Sequence, residues 1–158
     1  MRKNELRQRY MTLEHTDAES DEFTLSFSSD MPVERPHGTE ILSHDADAVD
    51  LSRLNDGAPL LMNHNADKLL GAVMSAEISG GKGRAVCRWG TSDLAQQARA
   101  DVAHGVLRNV SVGYEIIEED TGESGRIVVT RWMPLEISLV SVPSDPTVGV
   151  GRSYKRST

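Results

Sequence analysis

Two long runs of alternating, β-branched sequence, residues 107–118 and 126–142, constrain this chain more than anything else in it. Between them lies Thr121-Gly122-Glu123-Ser124-Gly125, a stretch rich in turn residues. Apolar side chains at every second position suit a pleated strand with one buried face, and the glycines suit a reversal. The pair predicts an antiparallel hairpin whose arms each exceed the usual strand of ~6 residues. In residues 109–116, Val110, Val112, Tyr114 and Ile116 share one face, and Asn109, Ser111, Gly113 and Glu115 the other. In residues 135–140, Leu135, Ile137 and Leu139 share one face, leaving Glu136 and Ser138 on the other. Ser111 and Glu136 thus both fall on the less apolar side of their strands. Centring the loop on Glu123 and Ser124 sets Ser111 directly across from Glu136, with Cβ atoms roughly 5 Å apart. Pro134 has no N–H to give to a ladder, and a bulge there would slip that register.

The rest of the chain reads as more strands and little helix. Phe23, Leu25 and Phe27 alternate with polar residues and predict a strand over 20–30. Pro32, Pro36 and Gly38 mark 31–39 as a loop. Residues 46–56 predict a short helix facing the core with Val49 and either Leu51 or Leu54, stopped by Gly57. Residues 69–78 and 84–89 predict a second hairpin, turned by Gly80-Gly81-Lys82-Gly83. That glycine run is not a phosphate loop, since it lacks the Gly-Lys-Ser/Thr ending and joins two strands. Residues 92–104 are the best helix: Ser92 caps it, Asp93 complements the dipole, Gly105 stops it, and Leu94, Ala98 and Val102 form one apolar face. Residues 1–19, with Arg2, Lys3, Arg7 and Arg9, read as a loosely ordered basic arm, and 149–158 as a loosely ordered polar tail. The expected fold is mainly β or α+β. It is a single domain over 1–158, built as a closed or nearly closed antiparallel β-barrel with peripheral helices.

Composition narrows the function. A chain of 158 residues buries enough surface to fold without staples. Its net charge of −7 argues against nucleic acid as a partner. No apolar run approaches the ~18 residues of a membrane span, and none follows the basic N-terminus as in a signal peptide. Cys87 is the single cysteine. It therefore has no intramolecular disulfide, and a packed structural thiol in a reducing compartment is expected.

His64 lies in Pro59-Leu60-Leu61-Met62-Asn63-His64-Asn65-Ala66-Asp67. With Ser111 and Glu136 it supplies a base, a nucleophile and an acid that orients the base, the set that acyl transfer needs. The chain order His, Ser, Glu is not that of the chymotrypsin, subtilisin or α/β-hydrolase arrangements. A serine hydroxyl is a poor nucleophile until a neighbouring base takes its proton, and a carboxylate on the far ring nitrogen sets the tautomer.

At these residues the chain resembles the prohead maturation proteases of tailed bacteriophages. One block is Pro59 to Val73, similar to the family's apolar-x-Asn-His-Asp block that ends in glycine and an apolar residue, with Asn65 where aspartate is frequent. Another is Val110-Ser111-Val112-Gly113-Tyr114, and the last is Leu135-Glu136-Ile137-Ser138-Leu139-Val140-Ser141-Val142-Pro143. Upstream, Val33 to Leu42 is similar to the family's opening loop. The resemblance spans roughly residues 20–148 and implies a herpesvirus-protease-like fold.

It further implies that Ser111 is the nucleophile, His64 the general base and then acid, and Glu136 the residue that orients the imidazole. In the similar herpesvirus assemblins a second histidine takes the third role, for which His37, His44 and His104 would be the candidates here; the block match favours Glu136. Assemblins carry arginines in a loop after the nucleophile strands, so Gly149, Gly151 and Arg152 are the oxyanion-hole candidates.

The implied activity is that of a serine endopeptidase. It needs no cofactor or metal, and it cleaves the scaffold or delta segment of the major capsid protein, and itself, inside the procapsid in the bacterial host cytoplasm. The likeness to assemblins, which require dimerisation, implies a homo-oligomer. Three rivals stand beside this: an inactive protease-like barrel that binds scaffold or capsid, a metal hydrolase using His37, His44, Asp45, His64 and Asp67, and a small β-barrel interaction domain.

Overall fold

The computed structural model of this protein describes residues 5–13 and 20–142. Among them are the strands β1 (Glu5–Thr12), β2 (Glu22–Ser29), β3 (Val33–Arg35), β4 (Gly38–Leu42), β5 (Pro59–Met62), β6 (Asn65–Ser79), β7 (Lys82–Trp89), β8 (Asn109–Thr121) and β9 (Arg126–Val140), and one α-helix, α1 (Asp93–Ala103). They form one curled sheet in the order β1-β8-β9-β5-β6-β7-β2, with β4 attached to β9 and β3 to β4. Strand β9 is the hub. Along one side it pairs antiparallel with β8; on the other it pairs parallel with β4 near its start and with β5 near its end.

The expected hairpins form. The long one joins β8 and β9 through residues 122–125. The second joins β6 and β7 with a tighter turn than expected, because Gly80 and Gly81 alone make the reversal and Ser79 pairs with Lys82. The helix also forms where expected. The Ser92 hydroxyl accepts from the Ala95 amide at 3.1 Å, and Gly105 takes the left-handed conformation after the His104 C-cap. Its buried face is Ala95, Ala98 and Val102, one residue round from the expected Leu94, which is only partly buried.

Other expectations give way. No ladder joins β1 to β2 among the described residues, so in place of the closed or nearly closed barrel expected, the strands make a curled sheet that stays open between them. The sheet is mixed and not purely antiparallel, since β4 and β5 both run parallel to β9. The helix expected over 46–56 is reduced to a single 3₁₀ turn, Leu54–Asp56, still closed by Gly57 in the left-handed region and still burying Leu54. Tertiary bonding overrides local propensity there: Asp50 donates its amide to Trp132, and Val49 bridges to the same residue. Part of the supposed arm is strand β1, laid antiparallel along β8 from Glu5–Ile116 to Thr12–Asn109.

The reason β1 docks is chemical. Arg7 and Arg9 lie across from Tyr114 and Val112, on the core side of the sheet. Both bond the carboxylate of Glu40, a fully buried residue of β4, with Arg9 Nη2 at 3.0 Å from Oε1. Arg35 of β3 and the Tyr114 hydroxyl, 2.8 Å away, complete the cluster. Burial pushes the Glu40 pKa up, but Arg9, Arg35, Tyr114 and Arg7 outweigh it and hold the carboxyl below its usual range. The hydrophobic core packs Phe27, Leu25, Leu42, Leu60, Leu70, Ile116 and Trp132, the indole donating to Ser43 O at 2.8 Å.

Candidate active site

Three strands bring the site together, and a register fault decides which side chains face it. Near the loop, Thr121 pairs with Ile127 and Asp120 with Val128. Carried on unchanged, that register would set Ser111 against Ile137, a core residue. The ladder instead slips between Gly113 and Tyr114: Tyr114 pairs with Pro134, but Gly113 pairs with Glu136, leaving Leu135 as the extra residue. The slip falls beside Pro134, where the missing N–H weakens the ladder. Beyond it Ser111 pairs with Ser138. The expected Ser111–Glu136 pairing is therefore displaced by one side-chain repeat, with Glu136 on the same face, across from Gly113.

His64 reaches this face from a two-residue reversal. Strand β5 ends at Met62, which pairs with Asn65 at the start of β6. Asn63 and His64 between them have φ of 55° and 59°. Positive φ at both central residues is the type I′ turn, whose twist matches a hairpin. Few non-glycine residues adopt positive φ, and asparagine and histidine are among those found there most often. Bonds to β9 and to Ser141 just beyond it hold the turn: the Asn63 amide donates to Leu139 O at 2.9 Å, the Ser141 amide to Asn63 Oδ1 at 3.1 Å, and the His64 amide to Ser138 Oγ at 2.9 Å. Because β5 runs parallel to β9, Met62 sits beside Leu139, and the turn beyond it folds back over β9 toward β8.

The imidazole then lies between the other two residues. His64 Nε2 is 2.7 Å from Ser111 Oγ, and Nδ1 is 2.5 Å from Glu136 Oε2. A carboxylate only accepts, so Nδ1 carries a proton, and in the neutral ring Nε2 is the nitrogen that accepts from the Ser111 hydroxyl. The second carboxylate oxygen, Oε1, accepts from Ser138 Oγ at 3.1 Å. Ser111 and Ser138 are fully buried, while the His64 and Glu136 side chains are 18% and 20% exposed. The nucleophile end of the line is dry and the carboxylate end borders solvent. Tyr10 and Gln8 of β1 face the same side, across from Ser111 and Gly113, with the Tyr10 hydroxyl 2.9 Å from Gln8 Oε1.

The alternative third residues lie elsewhere. His37 is in the turn between β3 and β4, and His104 caps α1. His44 bonds Leu42 O through Nδ1 and Ser28 Oγ through Nε2, each at 2.9 Å. Gly149, Gly151 and Arg152 lie outside the described residues. Among those described, no group of three or more His, Cys, Asp or Glu side chains is placed to hold a metal ion. Cys87 is buried, and burial pushes its thiol up to about 12.

Sequence reasoning brought together Ser111, His64 and Glu136, and the structure places them in one hydrogen-bonded line. It missed Ser138, although the alternation on β9 had already put that residue on the Glu136 face. It also missed Asn63, whose place beside His64 between apolar runs is a hairpin-turn signal. Tyr10 and Gln8 carry no such signal, because only the docking of β1 brings them near Ser111.

The family model described as the caudovirus prohead serine protease matches residues 23–157. A protein of Halomonas phage phiHAP-1 named as its major capsid protein is 40% identical over 142 residues, covering 85% of this chain and 24% of its own. The chain thus spans about a quarter of that relative. The solved structure of the bacteriophage T4 capsid assembly protease, gp21, superposes with a TM-score of 0.58 at 11% identity, over 89% of this chain and 100% of that one, a likeness of fold.

Proposed function

This chain belongs to the caudovirus prohead serine protease family, and from that premise we propose that it is a serine endopeptidase acting in procapsid maturation. One observation carries the proposal: a single imidazole holds Ser111 Oγ at 2.7 Å on one nitrogen and the Glu136 carboxylate at 2.5 Å on the other. In the reaction, Ser111 Oγ attacks the scissile carbonyl while His64 Nε2 takes its proton. The resulting imidazolium is stabilised by Glu136, and His64 returns the proton to the leaving amine. Water, activated by the same base, then releases the acyl group from Ser111.

The proposed substrates are the scaffold or delta segment of the capsid protein and the protease itself. The likeness to a longer phage protein named as a major capsid protein favours a capsid polypeptide. The proposed place of action is the procapsid interior in the host cytoplasm, and the proposed assembly a homo-oligomer. The net charge of −7 disfavours nucleic acid, and no described helix is long and apolar enough to cross a membrane.

The test is intact mass of fresh and aged protein, wild type beside Ser111→Ala, alone and with a capsid-scaffold polypeptide. Cleavage by the wild type and none by the variant is the expected result. Equal trimming of both would assign the trimming to a contaminating protease, and no cleavage of the polypeptide by either would make an inactive protease-like module the better reading.

A further inference from the structure

Ser138 commits its hydroxyl proton and one lone pair to the other members of the site. Its oxygen accepts the His64 amide at 2.9 Å, and its hydroxyl proton goes to Glu136 Oε1 at 3.1 Å. It is fully buried, and in the ladder it stands across from Ser111. With its proton and a lone pair so engaged it is not a second nucleophile. We propose that Ser138 is a positioning residue of this site, one hydroxyl that holds the base by its backbone and the carboxylate by its free oxygen. This rests on the reading of Ser111, His64 and Glu136 as catalytic residues.

Both ends of that clamp need holding. The His64 backbone lies in the left-handed region, which few non-glycine residues adopt, and its amide at the tip of the turn donates to Ser138 Oγ. Without Ser138 Oγ that amide loses an acceptor beside a buried surface, and the turn gains freedom. The Glu136 carboxylate borders solvent and can rotate. With Oε1 anchored to Ser138, only Oε2 points at Nδ1, which sets the ring plane and aims Nε2 at Ser111. Orientation of this kind acts on the chemical step, since small displacements of a base from its proton lower the rate steeply.

The experiment compares wild type, Ser138→Ala and Ser138→Thr by three measurements. These are the thermal midpoint, the downfield proton resonance of His64 Nδ1–H shared with Glu136, and the rate at which a fluorophosphonate probe labels Ser111. In Ser138→Ala the downfield resonance should broaden away through exchange with water, and labelling should fall about ten-fold, the loss expected for one hydrogen bond to a charged group. Ser138→Thr, which keeps the hydroxyl, should recover both.

Ser138→Ala that keeps the resonance and labels at the wild-type rate overturns the proposal, as does Ser138→Thr that folds yet behaves like Ser138→Ala. Should the alanine variant unfold, Ser138→Cys takes its place: a weak donor of similar size, expected to label more slowly than wild type, and labelling at the wild-type rate would overturn the proposal. A wild type whose Ser111 takes no probe, while its resonance still depends on residue 138, would refute the protease reading and leave the positioning role intact.

Discussion

The Glu136 carboxylate occupies the space where residue 113 would carry a side chain. A Cβ built on Gly113 would lie 2.4 Å from Glu136 Oε2, the oxygen that bonds His64. The glycine is therefore part of the site by what it lacks. It stands across from Glu136 in the ladder, and its missing methyl lets the carboxylate lie flat over β8 and reach Nδ1.

Gly113→Ala should fold and lose function. The β-strand conformation tolerates alanine, so the cost falls on the carboxylate, which must swing out toward solvent. Labelling of Ser111 by a fluorophosphonate should drop by about 10²-fold, the scale set by ~1 Å misplacement of catalytic groups. The far-ultraviolet spectrum should match wild type. A labelling rate within two-fold of wild type, about the noise of such a comparison, would show that Glu136 does not need that space.

Asn63→Ala should weaken both the fold and the site. Asparagine tolerates positive φ and its side chain accepts the Ser141 amide, and alanine does neither. The expected loss is roughly 1–2 kcal/mol in unfolding free energy, from left-handed strain and one hydrogen bond. Asn63→Gly keeps the turn but not the bond, so by denaturant melting it should fall between wild type and alanine. The reverse order would remove the turn from the account.

Acid should weaken the fold through Glu40. Glu40 is held below the usual carboxylate range, so its contribution is present above that range and lost as pH falls through its folded value. The sign follows because the unfolded chain takes up the proton first. Replacing one of the three guanidiniums, as in Arg35→Met, makes the folded value less depressed. The drop in unfolding free energy on acidification should then be smaller than in wild type and complete at higher pH. Paired denaturant melts at neutral and acid pH measure this, and equal drops in the two proteins would mean that Arg35 does not act on Glu40.

The alternation in 109–116 and 135–140 was enough to pair two strands and to put Ser111 and Glu136 each on the less apolar side of its own strand, because parity within a strand is local. Ser92, Gly57 and Gly105 marked element ends for an equally local reason, since caps and left-handed positions are set by single residues. The register was not legible in full. Pro134 pointed to the weak place in the ladder, but the size and direction of the slip depend on how β9 packs against β4 and β5 on its other edge.

What the sequence by itself determined is the set of chemical groups, the order of the elements and the parity within each strand, which sets Glu136 and Ser138 together on one side of β9 and Ser111 on the less apolar side of β8. Tertiary structure decided everything that depends on distant partners. It drew β1 out of a supposed arm through two arginines and a buried glutamate 31 and 33 residues away in sequence. It ran β5 parallel to β9 so that the Asn63-His64 turn hangs over β8. It also left the sheet open where the pattern had predicted a barrel. Local preference is written residue by residue, whereas pairing between strands is settled by burial and charge summed over the whole chain.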